Sequence, residues 1–227
     1  MKVQSKRFRS ASKNLDPAKA YSVQEAAELV KKSATAKFDE TVDLAIKLTI
    51  DTKQADQLVR GSFSLPHGIG KTVRVIAICD GAEAEQAKAN GAVAVGAADL
   101  VDKILGGFAD FDVVVAHPSM MKFVGKLGKV LGPKGLMPSP KSGTVTDKVA
   151  TAVTEFAAGK IEFRNDKEGN VHMIVGKASF DAVKLAENIA AAIHHIEGMR
   201  PASLKGDVFI ANATVASTMG PGFKLAI

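Results

Sequence analysis

The residues with enzyme-like chemistry are few, and their spacing does not build a catalytic site. Gly68-Ile69-Gly70-Lys71-Thr72 ends like a phosphate-binding loop, but that motif requires a glycine five residues before Gly70, where Leu65 stands. A strand pattern follows it instead of a helix, so Gly68 and Gly70 read as hinge residues. His194 and His195 are neighbours in a helical stretch, project to different faces and cannot chelate one metal. His67, His117 and His172 are scattered. Cys79 lies mid-strand and reads as a small core residue. Asp110 and Asp112 flank an apolar strand, where carboxylates more often cap or form turns. The sequence therefore offers no catalytic residue, no metal site and no cofactor. One enzyme alternative survives, a nucleotide-handling α/β domain with its site at the carboxyl ends of the strands. Its first turn, Asp80-Gly81-Ala82-Glu83, is acidic and would repel phosphate.

Charge is the stronger signal. From Asp80 to Ala116 seven acids face only Lys88 and Lys103, whereas from His117 to Lys148 six lysines face Asp147 alone. Lys122, Lys126, Lys129, Lys134 and Lys141 are threaded through Gly125, Gly128, Gly132, Pro133, Gly135, Pro138 and Pro140. Glycine lets backbone amides approach a phosphate and lysine neutralises it, while a flexible, solvated loop is the plainer reading. Val124-Gly125-Lys126-Leu127-Gly128-Lys129 also contains a GxxG tetrad like that of KH single-strand RNA binders. A second cluster is Lys37-Phe38 with Ser217-Thr218-Met219-Gly220-Pro221. An apolar side chain between hydroxyls on a Gly-Pro turn needs something to cover it, either core or an RNA sugar or base. The first 13 residues add Lys2, Lys6, Arg7, Arg9 and Lys13 without an acid, reading as a solvated arm or a phosphate contact.

The whole chain agrees with a polyanion partner. It has 227 residues, 30 Lys and Arg against 24 acids, a net charge of +6 and a pI near 9.3. Trp is absent and Tyr occurs once, which argues against a surface built on aromatic stacking. A lone cysteine suits a reducing cytoplasm, and no apolar run approaches membrane-span length or makes a secretory core.

These residues must be held by elements whose periodicity is legible. Ser22 and Glu25 form a capping box before a helix with Val23, Ala26, Ala27, Leu29 and Val30 on one stripe. Residues 41–50 alternate strictly and predict a half-buried antiparallel or edge strand; Val59, Gly61, Phe63 and Leu65 predict another. Strands at 73–78, 93–95 and 113–115 alternate with helices at 83–90 and 98–105, which requires a parallel sheet covered on both faces. A helix at 147–158 follows the glycine-rich stretch. Residues 161–164 and 171–175, joined by Asp166-Lys167-Glu168-Gly169, read as a hairpin. A helix over 180–196 carries Val183, Ala186, Ile189, Ala190, Ile193 and Ile196 on its stripe, and a strand at 208–215 closes the pattern. The expected class is α/β (α+β) in a discontinuous two-domain arrangement. Residues 1–67 and 159–227 form an antiparallel-sheet domain with packed helices, and 68–158 an inserted three-layer α/β domain. Gly68, Gly70 and Gly159 are the hinge.

Several segments are longer and more specific. They are Lys37-Phe38-Asp39-Glu40-Thr41-Val42, Val59-Arg60-Gly61, Leu65-Pro66-His67-Gly68, Leu131-Gly132-Pro133-Lys134-Gly135-Leu136-Met137-Pro138, Gly143-Thr144-Val145, Gly159-Lys160-Ile161-Glu162-Phe163-Arg164 and Ser217-Thr218-Met219-Gly220-Pro221. Through them, over almost its whole length, the chain strongly resembles the bacterial ribosomal proteins of the mobile side stalk of the large subunit, the first family in that subunit's naming series. Lys134 and Ser139 stand where family members often have arginine and asparagine. The resemblance implies a non-enzymatic cytoplasmic protein on the ribosome whose inserted domain is Rossmann-like. Its implied partners are side-stalk rRNA beside the tRNA exit site, the exiting deacylated tRNA, and mRNA of its own operon, which it represses; no membrane or small-molecule substrate is implied. Carried over by position, the rRNA surface is Lys37, Phe38, Thr41, His172, Ser217, Thr218, Met219 and Gly220, with Arg164 and Lys167 at the hairpin. A general KH-like RNA binder is the other alternative.

Overall fold

The computed structural model describes residues 5–12, 15–16, 19–204, 206 and 208–227. In chain order the elements are α1 (Lys6–Ser12), α2 (Val23–Ser33), β1 (Thr41–Leu48), β2 (Arg60–Ser64), β3 (Val75–Ile78), α3 (Ala82–Ala89), β4 (Ala94–Gly96), α4 (Ala98–Leu105) and β5 (Val113–Ala116). Then come short turns, 3₁₀ at Pro118–Met120, Gly125–Leu127 and Pro140–Ser142, with α5 (Met121–Val124) and α6 (Gly128–Leu131) among them. The last elements are α7 (Val149–Ala157), β6 (Lys160–Arg164), β7 (Asn170–Lys177), α8 (Ala182–Gly198), β8 (Ile210–Ser217) and β9 (Gly222–Lys224). The described chain divides into two compact units, one from the residues up to Gly70 together with Phe163–Ile227, the other from Lys71–Glu162.

The first unit is organised by β1. Val42, Leu44, Ile46 and Leu48 are buried and face α2 and α8, while Asp43 and Lys47 stay exposed on the opposite face. Both flanks of β1 are paired antiparallel, with β7 and with β8, in the order β7-β1-β8-β9. It is a central strand, not an edge. The antiparallel reading of this strand holds, whereas the predicted 161–175 hairpin is corrected. Asp166 does form the turn, its Oδ1 accepting from Glu168 N at 2.9 Å and Asn170 N at 2.7 Å, but β6 pairs with β2 and β7 with β1. The two arms meet beside the turn through a bridge between Asn165 and Val171 and a bond from Asp166 N to Asn170 O at 2.8 Å. Turn chemistry set the reversal; burial against α2 and α8 chose the partners.

The helices follow the same logic. The capping box of α2 forms as predicted, Glu25 N donating to Ser22 Oγ and Ser22 N to Glu25 Oε2. On α8 the buried stripe is Leu185, Ala186, Asn188, Ile189, Ala192, Ile193 and Ile196, whereas Val183 and Ala190 face solvent. Periodicity located the helix but rotated its face, because a buried polar residue, Asn188, belongs to the stripe. Its amide donates to Val175 O at 2.8 Å and Gly68 O at 3.0 Å, and its Oδ1 accepts from His67 N at 3.1 Å. Beside it, Gly70 has φ +71°, and a Cβ there would sit 2.5 Å from the Phe180 ring. The basic arm is helical where it is described, as α1; Lys2 and Lys13 lie outside the described residues.

The second unit is a parallel sheet, β4-β3-β5, covered on both faces. Val75, Ala77, Cys79 and Val115 pack with Val149, Val153 and Phe156 on one side. Ile76, Ile78, Val114 and Ala116 pack on the other with Leu100, Ile104, Val124, Leu127 and Leu131. The glycine-rich stretch is thus not a loop at its start. Val124, Gly125, Leu127, Gly128 and Gly132 lie in the right-handed helical region, and Val124, Leu127 and Leu131 are buried at i, i+3 and i+7. Glycine's poor helix propensity hid this run, and burial overrides it. Leu127→Ala should cost about 2–5 kcal/mol of stability and Lys126→Ala close to none, read from denaturant melts of the two variants. A solvated loop would give two equal, small effects.

Candidate nucleic-acid interface

At the Thr41 end of β1, the backbone is cross-tied to the start of the β8–β9 turn. Thr218 N donates to Thr41 O at 2.9 Å, Thr218 Oγ1 accepts from Thr41 N at 3.0 Å, and the same hydroxyl donates to Thr41 O at 3.1 Å. Lys177 Nζ donates to Thr41 Oγ1 at 2.8 Å. This brings Phe38, Thr41, Ser217, Thr218, Met219 and Gly220 together, with Lys37 exposed alongside. Phe38 is 55% and Met219 47% exposed, so neither belongs to the core. Ser217 is buried below them.

The brace beneath the turn is Glu40, 1% exposed. Its Oε2 accepts from Met219 N at 3.0 Å and its Oε1 from Ala36 N at 2.9 Å. Burial pushes this carboxyl's pKa up. The amides of Ala36 and Met219, the Ser217 hydroxyl and the Arg7 charge outweigh that and hold it below its ordinary value. Glu40 is the bracing residue that sequence reasoning missed, since an acid in Asp39-Glu40-Thr41 looks like any surface acid. Asp39 is tied too, accepting from Ser179 N at 3.1 Å and Ser179 Oγ at 2.9 Å. Gly220 is required by contact rather than by dihedral angle. A Cβ there would lie 2.4 Å from Ser217 Oγ and 3.3 Å from Ser33 Oγ.

The exposed face of the sheet continues from this cluster. His172 lies opposite Ala45, and Ile174, 41% exposed, lies opposite Asp43, whose pKa is pushed up by burial against the opposing charges of His172 and Lys177. Arg164 and Lys167 are exposed at the other end. Asn170, beside their turn, pairs with Lys47, six residues along β1 from Thr41 and so about 20 Å away. They are not part of the Phe38–Met219 cluster.

In the second unit Lys122, Lys126 and Lys129 are exposed at i, i+4 and i+7 on the helical run, and Lys134 and Lys141 are exposed beyond it. The GxxG tetrad lies inside that run, with Leu127 buried. Gly68, Gly70 and Gly159 all have positive φ, and the division of the chain falls at Gly70 but inside β6, just beyond Gly159. The enzyme-like residues are structurally employed. Asp112 is held well below the carboxylate range by Arg74 and Lys71, and Asp110 pairs with Arg74. Burial, with Glu83 and Asp80 adding to it, pushes the Cys79 thiol up to about 11. His195 stacks on Phe63 with ring centroids 4.4 Å apart, His194 points to solvent, and His67 pairs with Glu187. Among the described residues no cluster could hold a metal ion, and no helix is long and apolar enough to cross a membrane.

Comparison with known proteins agrees with the charged, enzyme-free picture. The Ribosomal protein L1p/L10e family matches residues 30–221. The Large ribosomal subunit protein uL1 of Fervidobacterium nodosum is 57% identical over 226 residues, 99% of this chain and 96% of the relative. Proteins of the same name from Clavibacter michiganensis subsp. michiganensis and Thermosipho melanesiensis are 51% and 52% identical over 99% of this chain, spanning 98% and 97% of their own lengths.

Two stability measurements probe this frame. Glu40→Gln leaves one of two buried amides without its acceptor and should cost about 1–3 kcal/mol at neutral pH. Because the folded pKa is lowered, the carboxylate's stabilisation is complete above the ordinary value of 4.5 and fades as pH falls through the lower folded value. The gap between the parent and Glu40→Gln in urea melts should therefore shrink on acidification. Gly220→Ala should destabilise by about 1–3 kcal/mol, and adding Ser217→Ala, which removes the clashing hydroxyl, should recover part of it.

Proposed function

Because the chain belongs to the ribosomal protein L1p/L10e family, we propose that its Phe38–Met219 cluster and adjoining sheet face bind rRNA of the large subunit's mobile side stalk. As a family member it is a structural constituent of the large ribosomal subunit, cytoplasmic on the ribosome, and not an enzyme. The observation that carries the rRNA reading is the pair of exposed apolar side chains on a rigid frame. Phe38 and Met219 are about half exposed, yet the backbone around them is tied by Glu40 and by the Thr41–Thr218 bonds. Folding gains little from such side chains, whereas an RNA sugar or base would cover them and the neighbouring hydroxyls would meet its 2′-OH groups. His172 extends this surface along β7; Arg164 and Lys167 reach a more distant part of the same RNA.

The two-ended unit is the rRNA-binding domain, and the inserted Rossmann-like unit acts through phosphate. Its lysines Lys122, Lys126, Lys129, Lys134 and Lys141 present point charges to stalk RNA or to deacylated tRNA leaving the exit site. Gly68, Gly70 and Gly159 give the connection its freedom as the stalk moves. The same cluster binds an mRNA copy of the rRNA site in the chain's own operon and represses its translation.

Met219→Ala and Phe38→Ala in the full chain should each weaken binding to a side-stalk rRNA fragment about tenfold or more, with the melting temperature barely changed. Burying a side chain of this size is worth about 1.5–3 kcal/mol, and about 1.4 kcal/mol is tenfold. Collapse of stability with normal RNA affinity in the folded fraction would make these core residues and reject the reading. Neutralising lysines of the 122–141 stretch should lower the salt slope of log K by about 0.7–0.9 per lost phosphate contact, and an unchanged slope would return them to solvent.

A further inference from the structure

Next to the Met219 turn, a cavity of about 570 Å³ opens between α1, α2 and β9. That volume falls in the range of about 300–1,000 Å³ typical of small-molecule sites. Its lining includes the apolar side chain of Leu29, the hydroxyl residues Ser33 and Thr35, the cations Arg7 and Lys32, and an edge of Tyr21, which is 6% exposed and whose ring is contacted by Phe223 and Lys19. We infer that this cavity is a subsite for one unpaired nucleotide, with the base against Leu29 and the phosphate between Arg7 and Lys32. The inference rests on the rRNA reading above and adds to it a pocket outside the sheet face.

Three observations carry the assignment. The chemistry is that of a nucleotide, a flat apolar body with hydroxyl contacts and one anion, and α1 offers Lys6, Arg7 and Arg9 without an acid. Among the described residues Lys32 is paired with Glu28, at 3.4 Å in an exposed i,i+4 contact of the weak kind that a phosphate readily displaces. The cavity is also continuous with the proposed interface. Ser33 lines it, and a Cβ at Gly220 would lie 3.3 Å from Ser33 Oγ, which places the cavity next to the Met219 turn. Phe8, Ala11 and Ser12 of α1 are half-buried, and Ser10 and Ala11 line the cavity beside Arg7.

The absence of tryptophan from the chain makes a direct test possible. Leu29→Trp and, separately, exposed Thr35→Trp place a sole tryptophan in the cavity wall, the second retaining the readout if the first does not fold. Titrated with a side-stalk rRNA fragment, the tryptophan should lose at least about half its fluorescence, with the midpoint of the binding isotherm. Arg7→Ala combined with Lys32→Ala should weaken binding about tenfold and lower the salt slope by about 0.7–0.9, one phosphate contact. A lowered slope without quenching in either reporter would mean that only backbone passes the rim, and the nucleotide subsite is wrong. Unchanged fluorescence, affinity and slope would overturn the inference while leaving the rRNA reading intact, provided Met219→Ala still weakens binding. Should Met219→Ala bind normally as well, the rRNA reading itself fails.

Discussion

A carboxylate taken out of water must find hydrogen-bond donors or lose its charge, and Glu40 finds its donors in two backbone amides. One belongs to the segment before β1, the other to Met219 on the turn after β8. Joining two stretches 179 residues apart in sequence, this group converts a polar turn into a fixed platform. The Thr41–Thr218 bonds repeat the tie one residue further on. Everything exposed at that edge, Phe38 and Met219 above all, inherits its position from bonds made underneath. A binding surface of this kind is preorganised, so association does not have to order it first.

The division of labour between visible and hidden residues explains what was legible. The alternation at 41–48 and the capping box at Ser22 are local and were readable, because pleat and helix period act on neighbours. Partner choice was not. The turn at Asp166 is correct chemistry for a hairpin, yet its arms pair elsewhere, since pairing is decided by which sheet buries which face. The α8 stripe was turned because a buried asparagine counts as polar in any periodicity test. Likewise, β9 was overlooked because three residues after Gly-Pro are too few to alternate. Among site residues, Phe38, Thr218 and Met219 were conspicuous as apolar or hydroxyl groups where a loop needs none. Glu40 and Lys177 were invisible, because their roles exist only once strands distant in sequence lie side by side.

The two units spend positive charge differently. On the sheet unit the cations near the cluster, Lys37 and Lys177, are few and specific, and Lys177 is itself bonded to Thr41. On the α/β unit Lys122, Lys126 and Lys129 are exposed along one helical run, with Phe123, 38% exposed, among them. Under the proposed function, geometry in one and electrostatics in the other are complementary ways of engaging nucleic acid, the first short-ranged and selective, the second long-ranged and salt-dependent.

The helical run at 118–131 carries a final implication. With glycines at 125 and 128 and helical pieces of only three or four residues, it has almost no tendency to coil by itself. Its shape is imposed by Val124, Leu127 and Leu131 docking on the sheet. The spacing of Lys122, Lys126 and Lys129 is therefore a property of the finished core, not of the polypeptide. A nascent or damaged chain holds the same cations but not their ordered row, so a polyanion that responds to the row distinguishes a completed molecule from its own precursor.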